Sequence, residues 1–210
     1  NDRDMHDLSI LSEHLTAAGI RSIAFQQEPR PIVWVVTTDN KLLSMTYLRE
    51  QKVIGWSNHP TDGTVLDVCV IPHPDGDRDQ VWVLVDRGGV APYIEYMDDA
   101  NGFYGQLMVD SGLSDTLGAP SATVTGLSHL NGKTVKVLVD GSQQTDKVVV
   151  AGSITLDYAG LKREVGLGFT PTLTTLRPTV DNLPLTGLNI SNVRVFISVL
   201  DTINAVVNGE

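Results

Sequence analysis

Three carboxylates at alternate positions form the first group in this sequence that could do chemistry. Asp75, Asp77 and Asp79 lie in the segment Asp75-Gly76-Asp77-Arg78-Asp79. Such alternation around a glycine is typical of calcium loops, because Ca²⁺ prefers oxygen ligands. The full EF-hand spacing is absent, since no glutamate stands at the position of the twelfth ligand. We therefore interpret the segment as a solvated turn and predict no metal site, with these three residues as the weak candidates.

Histidine and serine are the other residue types that could support catalysis. His59 and His73 each precede a proline and have no cysteine partners at zinc-ligand spacing, so both are predicted to be solvent-exposed loop residues. His129 is predicted to make a structural hydrogen bond. The sequence contains no Gly-x-Ser-x-Gly motif and no glycine-rich phosphate loop. We predict that the chain has no catalytic residues and no cofactor. We also predict that it is not an enzyme.

The three tryptophans, Trp34, Trp56 and Trp82, each lie on a candidate strand. Exposed indole rings could stack on nucleic-acid bases. Their apolar sequence neighbours instead favour core anchors between sheets, where an indole ring buries a large area. We interpret all three as core anchors.

Charge and cysteine content exclude several classes of protein. The formal net charge is -10 and the sequence pI is about 4.8, which argues against simple nucleic-acid binding and against adhesion to anionic membranes. An acidic channel that repels phosphate is still compatible with passing DNA. Cys69 is the only cysteine, so no internal disulfide can form, and its mostly apolar run predicts a small core residue. No apolar run approaches the ~18 residues of a membrane span.

The elements that must position these residues are almost all strands. Residues Asp7 to Ala18 have helical spacing and are followed by Gly19, which predicts a short amphipathic helix packed on the body. From Arg21 to Met97, apolar runs are separated by short polar breaks, which predicts antiparallel meanders. The predicted strands cover Ser22–Gln26, Pro31–Val36, Lys41–Tyr47, Val53–Trp56, Thr64–Ile71, Gln80–Val85 and Tyr93–Met97.

The rest of the chain alternates between connectors and β segments. A Gly- and Asp-rich stretch predicts a connector over residues 98–121, placed after a first domain of residues 1–97. Residues 122–169 alternate apolar and polar side chains, which predicts a small β-barrel or sandwich domain. Residues 170–210 are predicted to form a second connector and a return strand over Ile190–Leu200.

Several short motifs occur along the chain in a characteristic order. They are Ile32–Val36, Leu42–Tyr47, Gly55–Ser57, Asp62-Gly63, Val68–Pro72, Val81–Arg87, Tyr93–Tyr96, Val124–Val135, Asp140-Gly141 and Val165–Phe169. This order resembles the tail-tube and nozzle proteins of tailed bacteriophages, including podophage tail tubular and packaged-DNA stabilisation proteins. The turn Asp39-Asn40-Lys41 lacks the glycine of that pattern, and Gly168-Phe169 replaces its Pro-Tyr.

The resemblance implies an all-β fold, with a propeller-like antiparallel body and an inserted small β domain. It implies a virion structural protein whose copies form a ring, commonly of six, around a DNA conduit. Its expected partners are other tail proteins, on the portal or adaptor side and at the fibres or spikes, and double-stranded DNA that passes without sequence-specific binding. The chain holds too few strands for a whole propeller, so we expect it to be part of a longer polypeptide.

A second hypothesis keeps the same predicted fold but assigns the chain to a different class of function, that of a binding module. The loops of the small β domain could recognise carbohydrate or another tail protein, which would make the chain a tail-associated binding module.

Overall fold

A computed structural model of the chain describes residues 7–10, 12–48, 50–51, 53–97, 107–170, 172, 179–180 and 183–184. The chain divides into two compact units, Asn1–Gly168 and Phe169–Glu210. In the second unit, β13 (Thr179–Val180) pairs with β14 (Leu183–Pro184) in an antiparallel ribbon. The strand predicted over Ile190–Leu200 lies outside the described residues. The fold is mostly β, as predicted.

The N-terminal helix is shorter than its sequence pattern suggests. Only α1 (Glu13–Thr16) is helical within the described part of residues 7–19. The Ser12 side chain makes no capping hydrogen bond, and a helix of one turn gains little because nucleation is costly. Gly19 ends the segment with a φ of 91°, and its N–H donates to the carbonyl of Thr16.

Seven strands follow in two antiparallel meanders. The first sheet has the order β1-β2-β3-β4 and the second has the order β5-β6-β7. In the turn between β2 and β3, Asn40 takes a φ of 65°, so it does what a glycine would do there. The bounds are β1 (Ile20–Gln26), β2 (Ile32–Thr37), β3 (Leu42–Leu48), β4 (Val53–His59), β5 (Thr64–Pro72), β6 (Asp79–Asp86) and β7 (Tyr93–Met97).

The two sheets pack face to face as a sandwich. Side chains directly opposite each other in antiparallel strands share a face, so Trp34 and its neighbour Ala24 project to the same side. That side packs against the valines of the second sheet. The buried cluster between the sheets is Trp34, Val36, Leu42, Val65, Val68, Val81, Val83 and Val85.

Both sheets also carry apolar side chains on their outer faces. Ile23 and Phe25 of the first sheet are 61% and 56% exposed, and Ile94 of the second sheet is 73% exposed. Cys69 is exposed as well, so the prediction that it is a core residue is wrong. Its neighbours Val68 and Val70 face the sandwich interior, and alternation along β5 therefore turns Cys69 outward.

Residues 107–168 form a second module, which we call the small β unit. Its sheet has the order β10-β9-β12-β8, with β11 paired to β9, and it is open in the described residues. Its core is separate from that of the sandwich and consists of Val124, Leu127, Leu130, Val135, Val137, Val139, Val149, Ile154, Leu156 and Val165. The bounds are β8 (Asp110–Val124), β9 (Thr134–Val139), β10 (Ser142–Gln143), β11 (Lys147–Val148) and β12 (Ile154–Leu167), with a 3₁₀ turn at Ser128–Leu130.

The boundary of this unit differs from the predicted one. Residues 98–121 were expected to be a connector, yet β8 starts at Asp110 and pairs with β12. Ser111 is buried, and Leu113 and Leu117 are partly buried, whereas the intervening glycine and serine residues are exposed. The period-2 pattern is thus present, but Gly, Ser and Asp make it look like a loop because they carry little apolar area.

Candidate functional site

The acidic segment around Asp77 is not a carboxylate triad. Asp79 begins β6 and points away from the other two, because its Oδ2 accepts hydrogen bonds from the N–H groups of Gln27 (2.7 Å) and Glu28 (3.1 Å). His73 takes its place, and the ligand atoms of His73, Asp75 and Asp77 lie within 4.8 Å of one another.

A protein cation already lies against this cluster. Nη1 of Arg78 is 2.8 Å from Asp77 Oδ1, and Nη2 of Arg78 is 3.1 Å from His73 Nε2. The guanidinium supplies the positive charge that a metal would otherwise bring. The His73 side chain is 19% exposed, so it is not the open loop residue that was predicted.

The three tryptophans occupy three different environments. Trp34 is 5% exposed in the sandwich core, and its Nε1–H donates to Gln26 Oε1 at 2.9 Å. Trp56 and Trp82 differ from the predicted role of anchors between the sheets, since both lie half-buried on outer faces. Trp82 contacts Tyr96 there, with ring centroids 5.4 Å apart and planes inclined by 46°.

A groove crosses the outer face of the first sheet beneath the N-terminal segment. Trp56 Nε1–H donates to the carbonyl of Leu8 at 2.9 Å, and this hydrogen bond connects the N-terminal segment to the sheet. The groove has a volume of about 490 Å³ and is widely open to solvent. Its floor is mainly apolar, and its polar members are Asp7, Ser9 and Thr16. The N–H and the hydroxyl of Ser9 both donate to Asp7 Oδ1, and among the described residues no histidine or other base lines the groove beside them. Side chains along it include Leu8, Ile20, Ile23, Val33, Met45 and Trp56.

One serine–histidine pair has the separation of a nucleophile and its base. Ser44 Oγ lies 2.7 Å from His59 Nε2, and the His59 ring packs on Trp34 with centroids 5.1 Å apart. His59 was predicted to be an exposed loop residue, which is wrong because the last residue of β4 faces the sandwich core. Burial lowers the pKa of His59.

This pair lacks the surroundings that catalysis needs. Ser44 is 8% exposed, and no described carboxylate hydrogen-bonds to His59. A catalytic serine needs access to substrate, an orienting group behind the base and a donor for the oxyanion. We therefore assign Ser44 and His59 to the polar part of the core. Sequence reasoning missed the pair, because residues 15 positions apart meet only when β3 and β4 are in register.

The most extensive polar network in the described residues lies where the sandwich meets the small β unit. Its centre is Arg87, whose side chain is 5% exposed and follows β6. Nε and Nη2 of Arg87 each donate to one carboxylate oxygen of Glu95 at 2.6 Å. This bidentate geometry fixes the guanidinium within the second sheet.

Arg87 also reaches the turn between β4 and β5 and the first residue of β8. Its Nη1 donates to Thr61 Oγ1 at 3.0 Å and to the carbonyl of Asp62 at 2.7 Å, and its Nη2 lies 3.3 Å from Asp110 Oδ1. Burial by itself would lower the pKa of Arg87, but Glu95 and Asp110 outweigh it and raise that pKa. The guanidinium is therefore charged at neutral pH.

Two further contacts cross between the modules. Lys133 Nζ lies 3.1 Å from Asp62 Oδ2, and Tyr93 packs against His129 with ring centroids 5.6 Å apart. Nε2 of His129 lies 3.1 Å from the carbonyl of Ser111, which is the structural hydrogen bond predicted for this residue. Residues Thr61, Asp62, Arg87, Glu95 and Asp110 are called the polar joint below. No sequence motif marks it, because its members come from four separate segments.

Comparison with known proteins gives no functional assignment. No protein-family model matches the chain, and no curated protein matches it.

The described residues also lack a candidate membrane span. None of the helices among them has the length and apolar character needed to cross a bilayer.

Proposed function

We propose that this chain is a structural subunit of a tailed-phage virion, part of the tube or nozzle ring through which the genome leaves. The observation that supports it best is the pair of consecutive meanders. The first and second sheets stack through a buried, mainly apolar core, and each still exposes apolar side chains on its other face. Sheets that need neighbours on both sides are typical of propeller-like arrays. The proposed body is therefore a propeller-like array, with the small β unit inserted in it.

The polar and charged groups of the described residues fit a structural role. Most of the buried polar groups, with Ser111 Oγ among the exceptions, are used in contacts within and between modules, as at Ser44–His59 and in the polar joint. A net charge of -10 also suits a conduit that lets DNA pass without adhering. The proposed partners are copies of the chain in a closed cyclic ring, with six as the family number, neighbouring tail proteins and the passing duplex.

Electron microscopy of phage particles tests the location. Immunogold labelling with antibodies raised against this chain should decorate the tail of intact virions. A label confined to the capsid, or the absence of any label from particles whose genome encodes the chain, would contradict the proposal.

Solution size tests the ring and separates it from the alternative function. Light scattering combined with negative-stain microscopy should show a closed ring with a central opening for the polypeptide that contains this chain. A monomer that binds defined glycans on an array would instead favour a carbohydrate-binding module. The inclined rings of Trp82 and Tyr96 do not form the flat platform on which a sugar would stack.

A further inference from the structure

The sandwich and the small β unit are joined by polar contacts and not by a shared core. Their buried apolar clusters have no residue in common. Their sheets are separate, and no strand of one pairs with a strand of the other among the described residues. The relative orientation of the two modules must therefore be fixed by the contacts at their meeting point.

Asp110 is the residue on which these contacts converge. It belongs to the small β unit, because it starts β8 and lies opposite Leu167 of β12. Its carboxylate accepts hydrogen bonds from Thr61 Oγ1 at 2.8 Å and from Asp62 N–H at 2.9 Å, and it faces Arg87 Nη2 at 3.3 Å. All three donors belong to the sandwich.

The other contacts between the modules are weaker because they are more exposed to solvent. Lys133 and Asp62 are each 51% exposed, and exposed ion pairs contribute little because water and salt screen them. The Tyr93–His129 ring contact lies at the surface, since Tyr93 is itself 38% exposed. The Asp110 side chain is only 22% exposed and faces a guanidinium that is 5% exposed, so its interactions are less screened.

We propose that Asp110 is a positioning residue that locks the small β unit at one orientation on the sandwich. Thr61, the Asp62 backbone and Arg87 are the groups of the sandwich that bind the Asp110 carboxylate. Glu95 holds Arg87 in place from within the sandwich, so loss of Asp110 releases the small unit without dismantling either core. The inference does not depend on the proposed tail function, because it concerns the relative orientation of two modules in one chain.

A distance measurement between spin labels tests the lock. Cys69 is the only cysteine and is exposed on the second sheet, and Gln143 is exposed on β10 of the small β unit. Labels at Cys69 and at Gln143→Cys report the distance between modules by pulsed electron spin resonance. The labelled Gln143→Cys chain with Asp110 intact, which is the parent in this experiment, should give one narrow distance distribution. Asp110→Ala should lose that narrow distribution and populate distances that the parent does not show.

Asp115→Ala is the matched control. Asp115 also pairs with a buried arginine, since Arg163 is 5% exposed and its Nε donates to Asp115 Oδ1 at 2.8 Å. Both partners of that pair lie within the small β unit, on β8 and β12. Asp115→Ala should therefore lower the melting temperature while the narrow distance distribution is retained.

Three results would overturn the proposal: a broad distribution in the parent, a narrow one in Asp110→Ala, or equal broadening in Asp110→Ala and Asp115→Ala. If Asp110→Ala does not fold, Asp110→Leu serves in its place, because it keeps the side-chain shape and removes both the charge and the hydrogen-bond acceptors. A narrow distribution in folded Asp110→Leu at high salt, where the remaining ion pairs are screened, would equally contradict the proposal.

Discussion

The indole N–H of Trp34 donates a 2.9 Å hydrogen bond to Oε1 of Gln26, and both residues are buried between the two sheets. Gln26 in turn donates through Nε2 to the carbonyl of Glu28 at 3.0 Å. The ring thus fills the core and also anchors the loop after β1. Removing it would leave a cavity and an unpaired buried amide.

Trp34→Ala should destabilise the sandwich by about 3–5 kcal/mol, which is a large part of the stability of a typical domain. Urea unfolding followed by circular dichroism measures the change. Trp82→Ala is the control, because Trp82 is half-buried and its Nε1 has no hydrogen-bond partner to lose. We expect a clearly smaller loss for it. A native-like melt of Trp34→Ala would show that the core does not depend on this ring.

Asp77→Ala should be nearly silent and should not alter any response to calcium. The Asp77 side chain is 55% exposed and its partner is Arg78, so its removal should change stability by no more than about 0.5 kcal/mol. Melting curves with calcium and with chelator provide the measurement. A calcium-dependent rise in melting temperature that Asp77→Ala abolishes would establish a metal site here.

Acidification should destabilise the sandwich through His59. Burial lowers the pKa of His59 below 6.5, so the unfolded chain binds a proton more readily than the folded protein does. The free energy of unfolding should therefore be insensitive to this residue above pH 6.5 and should decrease as the pH falls below it. His59→Gln, which can still hydrogen-bond to Ser44, should show a flatter profile between pH 7 and pH 5 when urea melts are compared. Identical slopes for both proteins would refute this assignment.

Gly160→Ala should destabilise the small β unit, because an added Cβ would lie 2.1 Å from Cγ1 of Val139, which is fully buried. Overpacking of this kind costs about 1–3 kcal/mol. Gly118→Ala is the matched control on the partner strand, since nothing lies within 4 Å of its added Cβ. Differential scanning calorimetry should show a lower melting temperature for Gly160→Ala only. Equal melting temperatures would mean that β9 adapts to the extra methyl group.

The seven strands of the sandwich could be predicted because each combines an apolar run with a polar break at its end. The hairpin of β2 and β3 is the clearest case, since Asp39-Asn40 lies between two such runs and Asn40 adopts the left-handed turn conformation. β8 could not be predicted, because its glycine, serine and aspartate residues have low strand propensity and only pairing with β12 makes it a strand.

The sequence by itself determined an all-β chain with little helix, a negative net charge and the positions of most turns. These properties follow from local patterns, namely the period of apolar residues and the backbone preferences of Gly, Asn and Asp. The tertiary structure alone decided which face each side chain occupies. It placed Trp34 inside but Trp82 and Cys69 outside, and it buried His59 against Ser44. It also brought Asp110 to Arg87, because strand register and sheet stacking join residues that no local pattern relates.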